Sequence, residues 1–514
     1  METSQRKKTY LLMATLVTVL GICPLSALRA QQAAAIPPSS GAGADLAISS
    51  DAPSEKDMAD VLRVLGEMRT ELRDSRQEVE DLRKEVKELR QEVAATNGTA
   101  SVTALQNAVS DLQENQEVVQ SQVKTLAQTK VESASKYPLK ISGMILFNSF
   151  VVDGAVDNPM LPLIALPKTG NYAHHSLGGS LDQTQLGLAA TGPSVWGAHT
   201  SADLSADFFG QVNYTSVTSP NSPYFHLRTV DINLDWDKTR ISGGLQTPLV
   251  SLLSPTSFAT VAEPALAWEG NLWTWLPQIT IQREFDLNAS SRAVLAFGLI
   301  DSTSGDVTGE LTYGIMRRAL QPGYEGRVSY QWGDKERPYE IGANGYYTRQ
   351  LYSGSGIESP QALDFWAATG DWRVPLGKIT ELSGEAYRGR GIGDLGGGAF
   401  KNVVKDYSAE YFSGLDAAGG WAGLKTHLPH SLELNTYFGE DSANSNEVRS
   451  QYEVTAATSP YQYLVRNQSA AANLIFRPKS YLVFSGEYRY LRSWYIYGPS
   501  NFAQTLDLTM GYIF

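Results

Sequence analysis

The side chains of this chain that could do chemistry are its six histidines, its acids and its arginines, and their spacing argues against a reaction centre. His174 and His175 are adjacent, so on a strand they would point to opposite faces; His427 and His430 flank a tight turn. With His199 and His226 standing alone, no spacing puts metal ligands on one strand face. There is no nucleophile elbow and no glycine-rich phosphate cradle. Glu381 and Glu385 resemble the paired carboxylates of acid–base catalysis, but a charged inner wall would need the same spacing. The expectation is a chain that is not an enzyme and uses no cofactor and no metal.

These charges alternate with apolar residues, and the alternation assigns faces. In "YEGRVSYQW", Glu325, Arg327, Ser329 and Gln331 share one side, while Val328, Tyr330 and Trp332 share the other. "YLVFSGEYRYLR" puts Ser485, Glu487 and Arg489 opposite Leu482, Phe484, Tyr488 and Tyr490. By the same rule Asp203 and Asp207, Arg240 with Ser242 and Gln246, Gln282 with Glu284, and Glu381 with Glu385 point inward. "YFHLRTVDINLDW" slips phase, so a bulge is expected there, with Arg228 and Asp231 both inside. A charge facing lipid at the midplane would cost about 2–4 kcal/mol, which explains the sorting.

The elements that position these residues are strands. From Tyr137 to the end, two-residue alternation runs without a convincing helix. Tight turns fall at 191–197, 235–239, 286–291, 333–338, 374–378, 428–431 and 477–480. Between them lie connections at 151–178, 213–222, 247–275, 302–322, 350–361, 391–417, 441–466 and 496–501, most of them long. Seven tight turns alternating with eight other connections join sixteen antiparallel strands, and both chain ends lie on the tight-turn side. Short turns on one side and long loops on the other mark an outer-membrane barrel. The terminal "FAQTLDLTMGYIF" fits this: Leu506, Leu508, Met510, Tyr512 and Phe514 form a lipid-facing row. That strand must pair with the first, near "LKISGMILFNSF", because an open edge in lipid leaves backbone groups unpaired. The fold class expected is an all-β transmembrane barrel over 137–514, preceded by an α-helical coiled coil.

The third long connection, "PLVSLLSPTSFATVAEPALAWEGNLWTWLP", is too apolar to wave in water. It carries Trp268, Trp273 and Trp275 with Glu263 and Glu269, and is expected either to fold into the lumen as a constriction or to cap a neighbouring protomer.

Upstream, residues 1–30 read as an export signal with a basic start at Arg6, Lys7 and Lys8 and a short apolar segment. Residues 31–54 read as a flexible linker rich in Ala, Pro and Ser. Residues 55–132 read as a periplasmic coiled coil broken near 96–100, with Leu65, Leu72, Val79, Leu82, Val86, Leu89 and Val93 in its core seam. Glu71, Glu78, Glu85 and Glu92 flank that seam opposite Arg69, Arg76, Arg83 and Arg90, which suits pairing between chains. Valine at a with leucine at d leans towards two strands. The sole cysteine, Cys23, lies in the export signal, and the net charge of -12 argues against a nucleic-acid partner.

The layout resembles the DcaP-like porin family, most clearly in "LKISGMILFNSF", in "HLRTVDINL" and in the stretch from "GLQTP" to "LPQITI". The resemblance implies a trimer, passage of small solutes that include anionic dicarboxylates, a pore lined by the Arg228 and Arg240 strands, and narrowing by the 247–275 loop. One departure is charge, since the inward acids outnumber the inward bases. The function expected is passive diffusion of small hydrophilic solutes through a water-filled lumen in the bacterial outer membrane. The alternative is an envelope tether that uses the barrel as an anchor and the coiled coil to reach the cell wall.

Overall fold

The computed structural model describes residues 138–167, 175–210, 224–305, 307, 315–354, 359–406, 411–450 and 460–514. The expected export signal, linker and coiled coil, with its seam from Leu65 to Val93, lie outside the described residues.

The strands are β1 (Leu139–Asp153), β2 (His175–Ser180), β3 (Gln185–Thr191), β4 (His199–Asp207), β5 (His226–Asp235), β6 (Thr239–Gln246) and β7 (Leu276–Asn288). They continue with β8 (Ser291–Ile300), β9 (Met316–Ala319), β10 (Gly323–Gly333), β11 (Pro338–Ser353), β12 (Gln361–Pro375) and β13 (Thr380–Arg390). After a small hairpin of β14 (Val403–Asp406) and β15 (Tyr411–Gly414) come β16 (Asp416–Leu428), β17 (Leu432–Ala443), β18 (Leu464–Lys479), β19 (Leu482–Tyr495) and β20 (Asn501–Ile513).

Two pairs of these segments are single barrel strands that are interrupted. β2 and β3 pair with the two halves of β1, and β9 and β10 pair with the two halves of β11. Each neighbour is antiparallel, and β20 pairs with β1 from Met144↔Ile513 to Asp153↔Gln504, so sixteen strands close into a barrel. Closure extends to the last residue: the Phe514 N–H donates to the Gly143 carbonyl and the Gly143 N–H to that of Phe514, both at 3.0 Å. The interruption at 181–184 is bridged by a side chain, since the Leu146 N–H donates to the Thr184 hydroxyl at 3.1 Å. Pro322, which has no N–H to give a ladder, sits in the other interruption.

The seven tight turns join the strands expected. The phase slip also has its cause in the register, because Ser205 pairs with Thr229 and Ala206 with Leu227, leaving Arg228 as the extra residue of a bulge on β5.

Outward side chains form an apolar belt. Ile279, Ile281, Leu295, Phe297, Val328, Leu506, Leu508 and Met510 are all between 45 and 61% exposed. In water such a surface would drive aggregation; in a bilayer it is the solvated face. Trp332 stacks between Tyr330 and Tyr339 at the tight-turn end, and Arg466 and Arg492 lie over Trp494 towards the other.

One expectation needs correction. The region after Tyr137 is not free of helix: Ser445–Ser450 and Pro460–Tyr463 are short helices, and Gly393–Leu395 is a single 3-10 turn. All sit in long connections, too short to show a 3.6-residue period in the sequence.

Candidate permeation pathway

The connection from β6 to β7 turns inward and follows the wall. In chain order, the Thr247 carbonyl accepts from Gln278 on β7, the Leu249 N–H donates to Glu325 on β10, and the Val250 carbonyl accepts from Thr369 on β12. Thr256 meets Lys425 on β16 and Asn473 on β18, and Ser257 donates to Glu487 on β19 at 2.6 Å. The Phe258 carbonyl accepts from Thr509 on β20 and Asn148 on β1. Gln183, in the interruption between β2 and β3, accepts from the Val261 and Ala262 N–H groups, and the Ala262 carbonyl accepts from Arg228 on β5. Residues 247–262 therefore make a nearly complete circuit of the lumen in the order of the strands.

The chain then returns above this circuit. Glu269, fully buried, pairs with Arg489, and the Trp268 carbonyl accepts from Asn467 at 3.2 Å. Gly270 adopts a φ of +113° between β16 and β17; a Cβ there would overlap the Gly420 carbonyl, so glycine is required. Trp275 packs under the Arg228 guanidinium, 4.4 Å from its ring centre, and Arg228 also donates to Asp207 at 2.5 Å.

Over this return leg the connections at the long-loop end share an apolar core. Leu161, Leu163 and Ile164 join Trp268, Phe400, Tyr461 and Tyr495, with Trp268 stacked on Phe400 at 4.0 Å between ring centres. Polar groups lock the core. The Lys401 ammonium donates to the carbonyls of Ala399, Tyr461 and Leu464 at 2.5, 2.8 and 3.0 Å. Asp157 accepts from the Leu163 and Ile164 N–H groups and the Tyr461 hydroxyl. Burial pushes its carboxyl above the usual aspartate value, against those three bonds. Asp394 accepts from Arg317 at 2.6 Å and from Asn402, and burial raises its carboxyl too.

The inward charges divide by location. On β10 to β19 most are packed away from water, while Lys425, His427 and Arg477, near the tight turns, keep partial exposure. Arg327, 5% exposed, binds Asp371 and donates to Glu340 at 3.0 Å; Glu325, Glu385, Glu487 and Arg489 are all buried. A cavity of about 50 Å³ between the loop and Arg373, Glu381 and Lys425 holds no more than a few waters. On β4 to β8 the charges other than the buried Asp207 and Arg228 remain in contact with water. Arg240 pairs with Asp235 at 43 and 31% exposure, and Arg292 with Glu284 at 41 and 36%; Asp203 and Asp231 are partly exposed as well.

The inward-folded loop reaches Arg228, Glu325, Glu487 and Arg489 among the charges read from the sequence, and the twelve do not form one ring of water-facing groups. Asp207 and Arg228 are tied together at the end of the circuit, under the loop core. Of the loop residues, Glu263, Trp268 and Glu269 are buried, and only Trp273 and Trp275 keep partial exposure. The face of Trp268 is occupied by Phe400, so it offers no stacking surface to a solute. Asn148, Gln183, Thr369, Asn467 and Asn473, which hold the loop, escaped the sequence reading, because a single neutral amide or hydroxyl on a strand has no pattern to mark it.

No protein-family model matches the sequence, and no curated relative matches it. Among solved structures, the barrel is similar to the outer membrane channel DcaP of Acinetobacter baumannii, with a TM-score of 0.58 and 14% identity over 74% of this chain and 99% of that one. It is also similar to OprB of Pseudomonas putida, with a TM-score of 0.45 and 10% identity over 76% and 97% of the two chains. An anion-selective porin from Comamonas acidovorans gives a TM-score of 0.44 and 12% identity over 74% and 100%. The closed sixteen-stranded barrel of this chain has the fold of the DcaP channel.

Proposed function

We propose that the protein is an outer-membrane porin that lets small hydrophilic solutes diffuse through its lumen, narrowed by the inward-folded 247–275 loop. The observation that carries this reading is the contrast between an apolar outer face and a polar inner face around a closed barrel. In the same reading Asp203, Asp231, Arg240 and Glu284 line the path, Arg228, Glu325, Glu487 and Arg489 hold the loop, and fixed charge biases permeant ions. Residues 55–132 would assemble the chain as a homo-oligomer on the periplasmic side, a trimer by resemblance to DcaP-like porins. The test is efflux of a size series of sugars from proteoliposomes. Loss of the smaller sugars with retention of the larger ones supports the reading, and retention of every sugar sinks it.

A second reading is favoured by the dense packing of the loop core. Here the barrel is an anchor and the coiled coil reaches the cell wall. Sealed proteoliposomes together with co-sedimentation of residues 31–135 with peptidoglycan would favour it.

A further inference from the structure

We propose that the solute path runs along one sector of the lumen, the inner faces of β4 to β8, and that this sector prefers cations. The inference rests on the porin reading above and adds to it where the path lies and what it passes.

The first observation is coverage. The circuit of residues 247–262 hydrogen-bonds the wall at β7, β10, β12, β16, β18, β19, β20, β1, the β2–β3 interruption and β5. The loop starts and finishes in the β5–β7 sector, so a belt that presses on the rest of the wall leaves its opening there. The second observation compares acids near the tight-turn ends of their strands. Glu284 lies four residues from the end of β7 and is 36% exposed, whereas Glu340, two residues from the start of β11, is 10% exposed and Glu433, one residue into β17, is 4% exposed. Among these three acids the one farthest from its strand end is the most exposed, although His427 and Arg477, at the tight-turn ends of β16 and β18, are 46 and 35% exposed as well. On the tight-turn side of the belt's two ends, at Gln278 on β7 and Arg228 on β5, the inward acids Glu284 and Asp231 keep partial exposure.

The charge of that sector follows from its pairing. Arg240 is held by Asp235 and Arg292 by Glu284, and Arg240 also attracts Asp203 and Asp231, so the four acids of the sector exceed its two exposed cations by two. Asp203 and Asp231 lie directly opposite one another on β4 and β5 and share the attraction of Arg240, with Asn233 donating to Asp203 at 3.4 Å. Like charges directly opposite on neighbouring strands repel, and a mobile cation passing between them relieves that repulsion. A cleft of one sign between low-dielectric walls concentrates the counter-ion. A small cation, or a solute carrying an ammonium group, is the permeant that this geometry favours.

The test uses the full-length protein, whose sole cysteine, Cys23, lies in the expected export signal. Gln282→Cys on β7 and Ser329→Cys on β10 are treated in bilayers with a small cationic thiol reagent, and the reversal potential is measured in a potassium chloride gradient. The expected result is modification of the Gln282→Cys protein from both sides with block of its current, no reaction at the buried Ser329→Cys thiol, and a cation-selective reversal potential. Asp203→Asn/Asp231→Asn should lower the cation-to-anion permeability ratio several-fold. Current that is blocked through Ser329→Cys and not through Gln282→Cys overturns the path, and a ratio unmoved by the double variant overturns the cation preference. Absence of any current, with the Gln282→Cys thiol reached from the periplasmic side alone, overturns the porin reading itself.

Discussion

Replacing Arg489 with methionine should release the returning leg of the lumen loop. Arg489 is 5% exposed, donates to Ser469 at 3.0 Å and pairs with the fully buried Glu269. Without it, the Glu269 carboxylate stays in a closed interior with no cation, a change that typically costs about 3–5 kcal/mol. At about 1.4 kcal/mol per factor of ten, the undocked population rises about a hundred-fold to a few-thousand-fold. Protonating Glu269 would relieve part of this penalty, so the effect should be read at alkaline pH. The assay is hydrogen exchange of residues 263–272 in detergent micelles, with strands β18 and β19 as the internal reference. Arg489→Met should lower protection across 263–272 by that factor. Glu269→Leu/Arg489→Met, which removes both charges, should recover most of the loss, since a buried pair replaced by apolar groups is often nearly neutral. Unchanged protection in the single variant would refute the reasoning, as would a double variant no better than the single one.

Other consequences can be checked in parallel. Gly270→Ala places a side chain against the Gly420 carbonyl at a φ of +113°, a strain of about 1–3 kcal/mol before any clash, and should weaken the same protection; wild-type exchange would contradict the packing. Lys401→Met orphans three buried carbonyls at about 1–3 kcal/mol each, so limited proteolysis should cut within 391–417 in the variant and not in the parent. The raised Asp157 carboxyl means that the folded loop core binds its proton more tightly than the unfolded chain does. Its contribution to stability is therefore greatest below about pH 3.8 and is lost as pH rises through the folded value. Protease resistance of 157–166 should fall over that interval in the parent and stay flat in Asp157→Asn. Deleting residues 55–130 should dissolve the oligomer while leaving the barrel folded; an intact oligomer on size exclusion would remove the coiled coil from its assembly role.

The barrel was legible because its signals repeat. Sixteen strands carry the same two-residue alternation, and an asymmetry between turns and loops recurs around the whole cylinder. Even the bulge at Arg228 showed itself, since one extra residue shifts every later side chain to the other face. The interruptions at 181–184 and 320–322 did not show, because β2 and β9 are only six and four residues long and merge with the connections before them. The inner face of Glu325 or Arg489 could be read from neighbours in sequence. Whether that face is wet could not, because it depends on a loop that reaches each strand from far along the chain. Glu269 meets Arg489 across 220 positions, and Asn148 meets Phe258 across 110. Alternation states which way a side chain points and is silent about what covers it.

The most direct test is the step conductance of the purified protein in planar bilayers, measured beside a variant in which residues 250–273 are replaced by a short Gly-Ser linker. An open sector narrowed by a belt predicts discrete steps for the parent and larger, less ion-selective steps for the variant. If the variant conducts no more than the parent, the loop does not narrow the lumen, and if neither conducts, the barrel is not a channel.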